Sequence, residues 1–219
     1  VFDASSSTGT GAITFDGSAE DDSTMTITGG NGADILTGGV KADIISGGSG
    51  ADTITGGSGG DTLAGGNGND IYKFASTGAL NGTDVFGANI VVANDKLDFS
   101  AFSSGLTFRT TVIEHNATTD VDITNKIVMV ATTNGSVAET NTAAKIAALI
   151  EGIGDAMHLS SGGKAVVIGG DDSAATAGAV IAFVDDSVGA NVGTFEADDV
   201  VLVGTTTLDI DTLSAANFV

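Results

Sequence analysis

GGNGADILT GGVKADIIS GGSGADTIT GGSGGDTLA GGNGNDIYK, residues 29–73, is one nine-residue phrase repeated five times without a gap. Each copy opens on two glycines. The sixth position is always aspartate: Asp34, Asp43, Asp52, Asp61 and Asp70. The eighth is Leu36, Ile45, Ile54, Leu63 and Tyr72. A period this short is the mark of a repeat architecture in which no unit folds alone. Positions one to six, GGxGxD, are too glycine-rich for helix or regular strand and read as a tight turn that aims its carbonyls inward. Positions seven to nine read as a very short strand with the single position-eight side chain facing in.

Two such repeats make one coil of chain, so turns of repeats one, three and five share one side and turns of two and four the other. Coils stacked at strand spacing, about 4.8 Å, bring together Asp34 with Asp52, Asp52 with Asp70, and Asp43 with Asp61. Like charges at that spacing repel, and a hard divalent cation between them reverses the sign. Calcium suits the donors, taking about six to eight oxygens from carboxylates and carbonyls, whereas magnesium demands a tighter octahedron.

These residues resemble the RTX (repeats-in-toxin) nonapeptide G-G-x-G-x-D-x-U-x, whose repeats form a parallel β-roll filled with calcium. The resemblance implies a parallel β-roll or β-solenoid, and with the residues after it the chain reads as mainly β, the roll followed by a β-rich C-terminal domain with one helix. It implies Ca2+ as cofactor, about three or more ions. Side chains of the five repeat aspartates and backbone carbonyls of the turns are the implied ligands. The turn positions are Gly29, Gly30, Asn31 and Gly32 in the first repeat and Gly38 and Gly39 in the second. They are Gly47, Gly48, Ser49 and Gly50 in the third, Gly56, Gly57 and Gly59 in the fourth, and Gly65, Gly66 and Gly68 in the fifth. Repeat two departs from the pattern with Val40 and Lys41. Lys41 is expected to be strained in a glycine turn position and to weaken the Asp43–Asp61 site. Past the repeats, Asp84 is a candidate terminal ligand, with Asp95 and Asp98 as weaker candidates or simple turn caps.

The remaining 174 residues are read around this array. Residues 1–28 form its degenerate edge, with AITF (12–15) and MTIT (25–28); Met25 stands where the aspartate belongs and Ile27 where the aliphatic residue does. Residues 74–105, with DVF, NIVV and NDKLDFSAF, close the stack as a cap, because an open end would expose strand edges. Residues 106–219 hold LTFRTTVIE, KIVMVA, KAVVIGG, AVIAFVDD and DDVVLVG, read as strands. A helix is predicted at about 137–151, from a capping box at Ser136 and Glu139 and apolar residues at helical spacing.

Composition bounds the function. The 219 residues include 33 glycines, no cysteine, proline or tryptophan, and a formal charge of −21 from 28 acids and 7 bases. Of the acids 23 are Asp, which suits turns and hard cations rather than helices. This acidity argues against nucleic acid and against anionic lipid. No stretch is long enough for a membrane-spanning helix. VFDASSSTGT has neither the basic region nor the apolar run of a cleaved signal peptide, and the chain opens without Met, as a fragment would. The resemblance implies export by a type I secretion machine reading an uncleaved C-terminal signal, here LDIDTLSAANFV, followed by calcium-driven folding outside a bacterial cell. Without calcium, backbone entropy and gathered charge are expected to leave the array disordered.

G-x-S-x-G at 56–60 mimics a hydrolase motif, but Ser58 is only position three of a repeat. His115 and His158 lack companion metal ligands in sequence, so the chain is read as no enzyme. The Asp doublets 171–172, 185–186 and 198–199 read as solvated strand ends or further calcium sites. Three roles remain. The Ala/Thr/Gly/Val-rich, Lys-poor composition resembles a bacterial surface-layer (S-layer) subunit at the cell surface, self-associating or holding a surface polymer. The alternatives are an adhesin or biofilm module, and the noncatalytic tail of a secreted enzyme or toxin.

Overall fold

The computed structural model describes residues 1–77, 80–87, 95–103, 105–108, 113–114, 121–122, 124–132, 157–158, 163–171, 179–186, 200–206 and 213–219. They fall into two compact units, one of residues 1–102 with 216–219 and one of residues 103–215. The chain is mainly β, as the repeat pattern predicts. The helix expected at 137–151, the NIVV segment and the doublet residues Asp172, Asp198 and Asp199 lie outside the described residues, as does His115.

The first unit is a stack of coils with two strands per coil. One parallel sheet takes the strands β1 (Phe2–Asp3), β3 (Thr26–Thr28), β5 (Ile44–Ser49), β7 (Thr62–Asn67) and β9 (Asp84–Phe86). The other takes β2 (Thr14–Asp16), β4 (Ile35–Thr37), β6 (Thr53–Thr55), β8 (Ile71–Lys73) and β10 (Lys96–Asp98). Successive strands of one sheet are 18 residues apart within the array: Ile27, Ile45 and Leu63 are in register on one side, and Leu36, Ile54 and Tyr72 on the other. This is the two-repeat coil that the period requires.

Within the repeats each three-residue strand has its middle side chain inside. Ile27, Leu36, Ile45, Ile54, Leu63 and Tyr72 are 0–2% exposed, while the preceding residues Ile35 and Ile44 are about half exposed. The alternation is the ordinary period of two, and the interior is one row of apolar side chains per sheet. The row continues past the repeats into Phe86 and Leu97, also buried. Residues 1–28 extend it the other way: Phe15 pairs with Leu36 and Phe2 with Ile27.

One expectation about the turns is corrected. β5 and β7 do not stop at position nine but run on through Gly47-Gly48-Ser49 and Gly65-Gly66-Asn67, with Gly48 paired to Gly66 and Ser49 to Asn67. Glycine weakens a strand by entropy rather than forbidding it, and here the neighbouring coil supplies the pairing.

The second unit is built differently. β14 (Lys126–Thr132) pairs in parallel with β16 (Lys164–Asp171), which forms an antiparallel pair with β17 (Ala179–Asp185). β17 then pairs antiparallel with β18 (Val200–Thr206), with a register shift at Ile181/Ala182. Short strands β11 (Thr107–Phe108) and β12 (Ile113–Glu114) both pair with β14, and β13 (Val121–Asp122) pairs with β15 (Met157–His158). Residues 165–169 and 179–184 are buried without alternation. A strand covered on both faces is a continuous apolar run, and AVVIG and AVIAFV are such runs.

Candidate metal centre

The turns place the aspartates. All five repeat aspartates are buried, 0–1% exposed, and Asp84 and Asp95 are buried too, at 4% and 2%. They stand in two ladders, one on each side of the roll. On one side the N–H of Asp34 donates to Asp52 Oδ1 at 2.7 Å, that of Asp52 to Asp70 Oδ1 at 2.9 Å, and that of Asp70 to Asp95 Oδ1 at 2.8 Å. On the other, Asp43 N–H donates to Asp61 Oδ1 at 2.8 Å and Asp61 N–H to Asp84 Oδ1 at 3.0 Å. Each ladder begins where the aspartate is missing. Ile13 N–H donates to Asp34 Oδ1 and Met25 N–H to Asp43 Oδ1. The pairing of alternate repeats expected from the period is the pairing observed.

Beyond the array the spacing is irregular, 23 residues from Asp61 to Asp84 and 25 from Asp70 to Asp95. Asp95 therefore has the same position in its ladder as Asp84 in the other, although the sequence ranks it lower. The signal was present: Asp84-Val85-Phe86 and Asp95-Lys96-Leu97 both repeat the D-x-U core of the phrase. Asp98 has another task, accepting the Ser100 N–H at 2.9 Å as an ordinary turn.

The second carboxylate oxygen separates two kinds of turn. In the first two repeats Oδ2 is satisfied within its own turn: Gly30 N–H donates to Asp34 Oδ2 at 2.8 Å and Gly39 N–H to Asp43 Oδ2 at 2.7 Å. In the last three, Asp52, Asp61 and Asp70 Oδ2 are buried with no hydrogen-bond partner. The same three turns carry left-handed glycines, Gly48 and Gly50, Gly57 and Gly59, Gly66 and Gly68, with φ from 101° to 141°. There the chain curls away from its own carboxylate, so the second glycine N–H no longer reaches back.

Lys41 corrects a further expectation. It is exposed and does not take a left-handed φ; among the described non-glycine residues only Asn125 does. The glycine-specific strain expected at Lys41 is absent, because neither of the first two turns uses that conformation at any position.

The space beside the free oxygens is lined with oxygen. A Cβ built on Gly47 would meet both Asp52 Oδ2 and the Gly65 carbonyl, and one on Gly56 or Gly65 would meet Asp61 or Asp70 Oδ2. On Gly29 and Gly38 it would meet the carbonyls of Gly47 and Gly56 as well as the carboxylates of Asp34 and Asp43. Only glycine permits these approaches. The other turn positions fall in rows along the same sides. Gly30, Gly48 and Gly66 approach one another, as do Gly39 and Gly57, and as do Gly32, Gly50 and Gly68. Asn31 is exposed, and Ser49 lies in β5.

The carboxylates are costly as anions. Burial pushes Asp52 up to about 6, and the Asp70 and Asp34 carboxylates add to the rise while the Asp34 N–H opposes it. Burial likewise raises Asp61 and Asp95 to about 6 and Asp84 to about 8, and it raises Asp70. Buried carboxylate oxygens without partners, beside backbone carbonyls, are hard donors with no nitrogen or sulfur among them. They fit calcium. Bound there, the ion would supply positive charge to the ladder and coordination to the free oxygens.

Residues 26–40 and 37–72 match the RTX calcium-binding nonapeptide repeat, in 4 copies. No curated protein matches the chain. This segment is an RTX array folded as a β-roll, and such repeats bind Ca2+ and mark a protein of the secreted RTX type. Among the described residues no helix is long and apolar enough to cross a membrane.

The remaining sequence candidates are dispersed. Ser58 is half-buried, its hydroxyl donating to the Leu80 carbonyl at 3.4 Å. His158 lies in β15 of the second unit. Of the doublets, Asp185 pairs with Lys164 at 2.9 Å and Asp186 is buried, its N–H donating to the Gly163 carbonyl.

Proposed function

We propose that the chain is an extracellular structural module that folds when it meets calcium, as part of a bacterial surface layer. The observation that carries the calcium reading is the set of three buried, unpartnered carboxylate oxygens on Asp52, Asp61 and Asp70. Asp52 with Asp70 and Asp95 holds ions on one side of the roll, and Asp61 with Asp84 holds them on the other. Carbonyls of Gly47, Gly56 and Gly65 complete the shells, and about three ions or more are taken up in all. Asp34 and Asp43, both of whose oxygens are already bonded, contribute less.

In calcium-poor cytosol the ladders are a cost and the chain stays open, in the state that a type I secretion machine exports. Outside, binding free energy becomes folding free energy, at the ~10⁻⁴ to 10⁻³ M typical of extracellular modules. The lattice role rests on composition: Ala/Thr/Gly/Val-rich, cysteine-free and poor in lysine. Circular dichroism during a calcium titration of the chain tests the folding step, with coil turning to β as the expected result. A roll fully formed in excess chelator would refute it. Electron microscopy of cells with and without chelator tests the lattice, which must lose its order when calcium is withdrawn; an unpatterned surface in both states would sink that role.

A further inference from the structure

β10 is the last strand of its sheet, and its outer edge needs a partner. The partner is more than a hundred residues away. Phe218 bridges Leu97 in parallel, and Val219 N–H donates to the Leu97 carbonyl at 3.2 Å. The pairing places Phe218 on the next rung of the interior row Phe15, Leu36, Ile54, Tyr72 and Leu97. Its ring stacks on Phe99 at 6.3 Å, Phe99 on Phe74 at 4.6 Å, and Phe74 meets Phe86 at 5.7 Å. Phe86 meets Tyr72 edge-on at 5.4 Å, and the Tyr72 hydroxyl accepts the Gly65 N–H at 2.6 Å. Ala215–Asn217 form one short 3-10 turn, and Phe218 follows it with a single parallel bridge on the β10 edge.

The same tail reaches the carboxylate ladder. Asn217, 3% exposed, donates from Nδ2 to the Asp95 carbonyl at 3.1 Å. Asp95 is the end of its ladder, its Oδ1 bonded to the Asp70 N–H. A donor that holds the Asp95 backbone reduces the ordering that an ion at Asp70 and Asp95 must otherwise impose.

We propose that residues 216–219 cap the open edge of β10 and that Asn217 is a positioning residue for Asp95, so that docking of this segment and calcium binding at the Asp70–Asp95 end strengthen each other. The proposal rests on the calcium reading above. Linkage makes the effect reciprocal: whatever factor the tail adds to calcium affinity, calcium adds to tail docking.

The test is made on the full chain. Calorimetric calcium titration of Asn217→Ala and Phe218→Ala should show affinity weakened by about 5-fold or more for ions of the Asp52–Asp70–Asp95 side. Ions of the Asp61–Asp84 side should be unchanged, a selectivity that general destabilisation would not produce. Hydrogen exchange on the wild-type chain gives the reverse reading: amides of 216–219 should be protected in calcium and exposed in chelator. If the wild-type chain binds calcium but these amides exchange alike in both conditions, or both variants keep full affinity, the coupling is overturned and the calcium reading stands. A wild-type chain that binds no calcium overturns both.

Discussion

The two units of this chain solve the same problem, burying enough apolar surface, by opposite means. The second unit is built on four strands of seven or eight residues, and β16 and β17 are covered on both faces. The roll uses mostly three-residue strands, each giving one side chain to the interior, and then buries the seven ladder aspartates beside it. Apolar burial, worth roughly 25 cal/mol per Å2, is what the former uses. In the latter it is set against glycine entropy and a row of carboxylates with raised pKa. The difference teaches that similar strand content conceals different dependence on solution conditions. On the proposed calcium reading, one unit is held by its side chains and the other by its side chains and an ion.

The strongest way to break this comparison is to remove calcium. Chelation should expose the amides of residues 26–73 to rapid exchange while those of β16 and β17 remain protected. Simultaneous loss in both units would show that the second leans on the first. Within the roll the next largest difference is between its two kinds of turn. Asp52→Ala should reduce calcium affinity at least ~10-fold more than Asp34→Ala. Asp52 has a free buried oxygen and a neighbour on each side, whereas Asp34 Oδ2 is already bonded to Gly30. Equal losses in calorimetry would erase the distinction between the turns.

Acid sharpens the comparison more gently. Asp84 is raised to about 8 and Asp52, Asp61 and Asp95 to about 6, above the ordinary 3.8. In chelator the folded roll therefore holds protons that the unfolded chain releases. Its stability should rise as pH falls from about 8 towards 4 and be lost again as pH climbs through the same window. With calcium present the dependence should invert, since protons compete for the ion's oxygens. Circular dichroism in chelator at pH 8 and pH 5, where β content should grow with acid, and urea midpoints in calcium at the same pH values, where they should fall with acid, read the two dependences; a change in the same direction would contradict the shared site. The smallest effect is expected at Lys41. Lys41→Gly should change stability by no more than about 0.5 kcal/mol. Gly59→Ala, at φ 114° and facing Lys41 backbone, should cost about 1–3 kcal/mol by urea denaturation.

Much of the roll is legible because its information is local and periodic. A reader of residues 29–73 can place Leu36 and Ile45 inside and assign Asp34, Asp52 and Asp70 to one side from the number nine alone. The strands KAVVIGG and AVIAFVDD are equally plain, being continuous apolar runs. Legibility fails where the period does. Asp95 sits 25 residues beyond Asp70, and no count from the repeat reaches it. Lys41 misleads for a different reason: the motif says which residue type a turn usually needs, whereas the local backbone path decides whether this turn needs it.

The sequence by itself determined the repeat, the interior row, the sorting of aspartates to two sides and the acidity that requires a cation. These follow from spacing and residue type. Tertiary structure alone decided which carboxylate oxygens remain unpartnered, that Asp84 and Asp95 end the ladders, and that Asn217 and Phe218 return to close β10. Such outcomes depend on which distant backbone groups arrive at hydrogen-bond distance, and packing sets that after the period has run out.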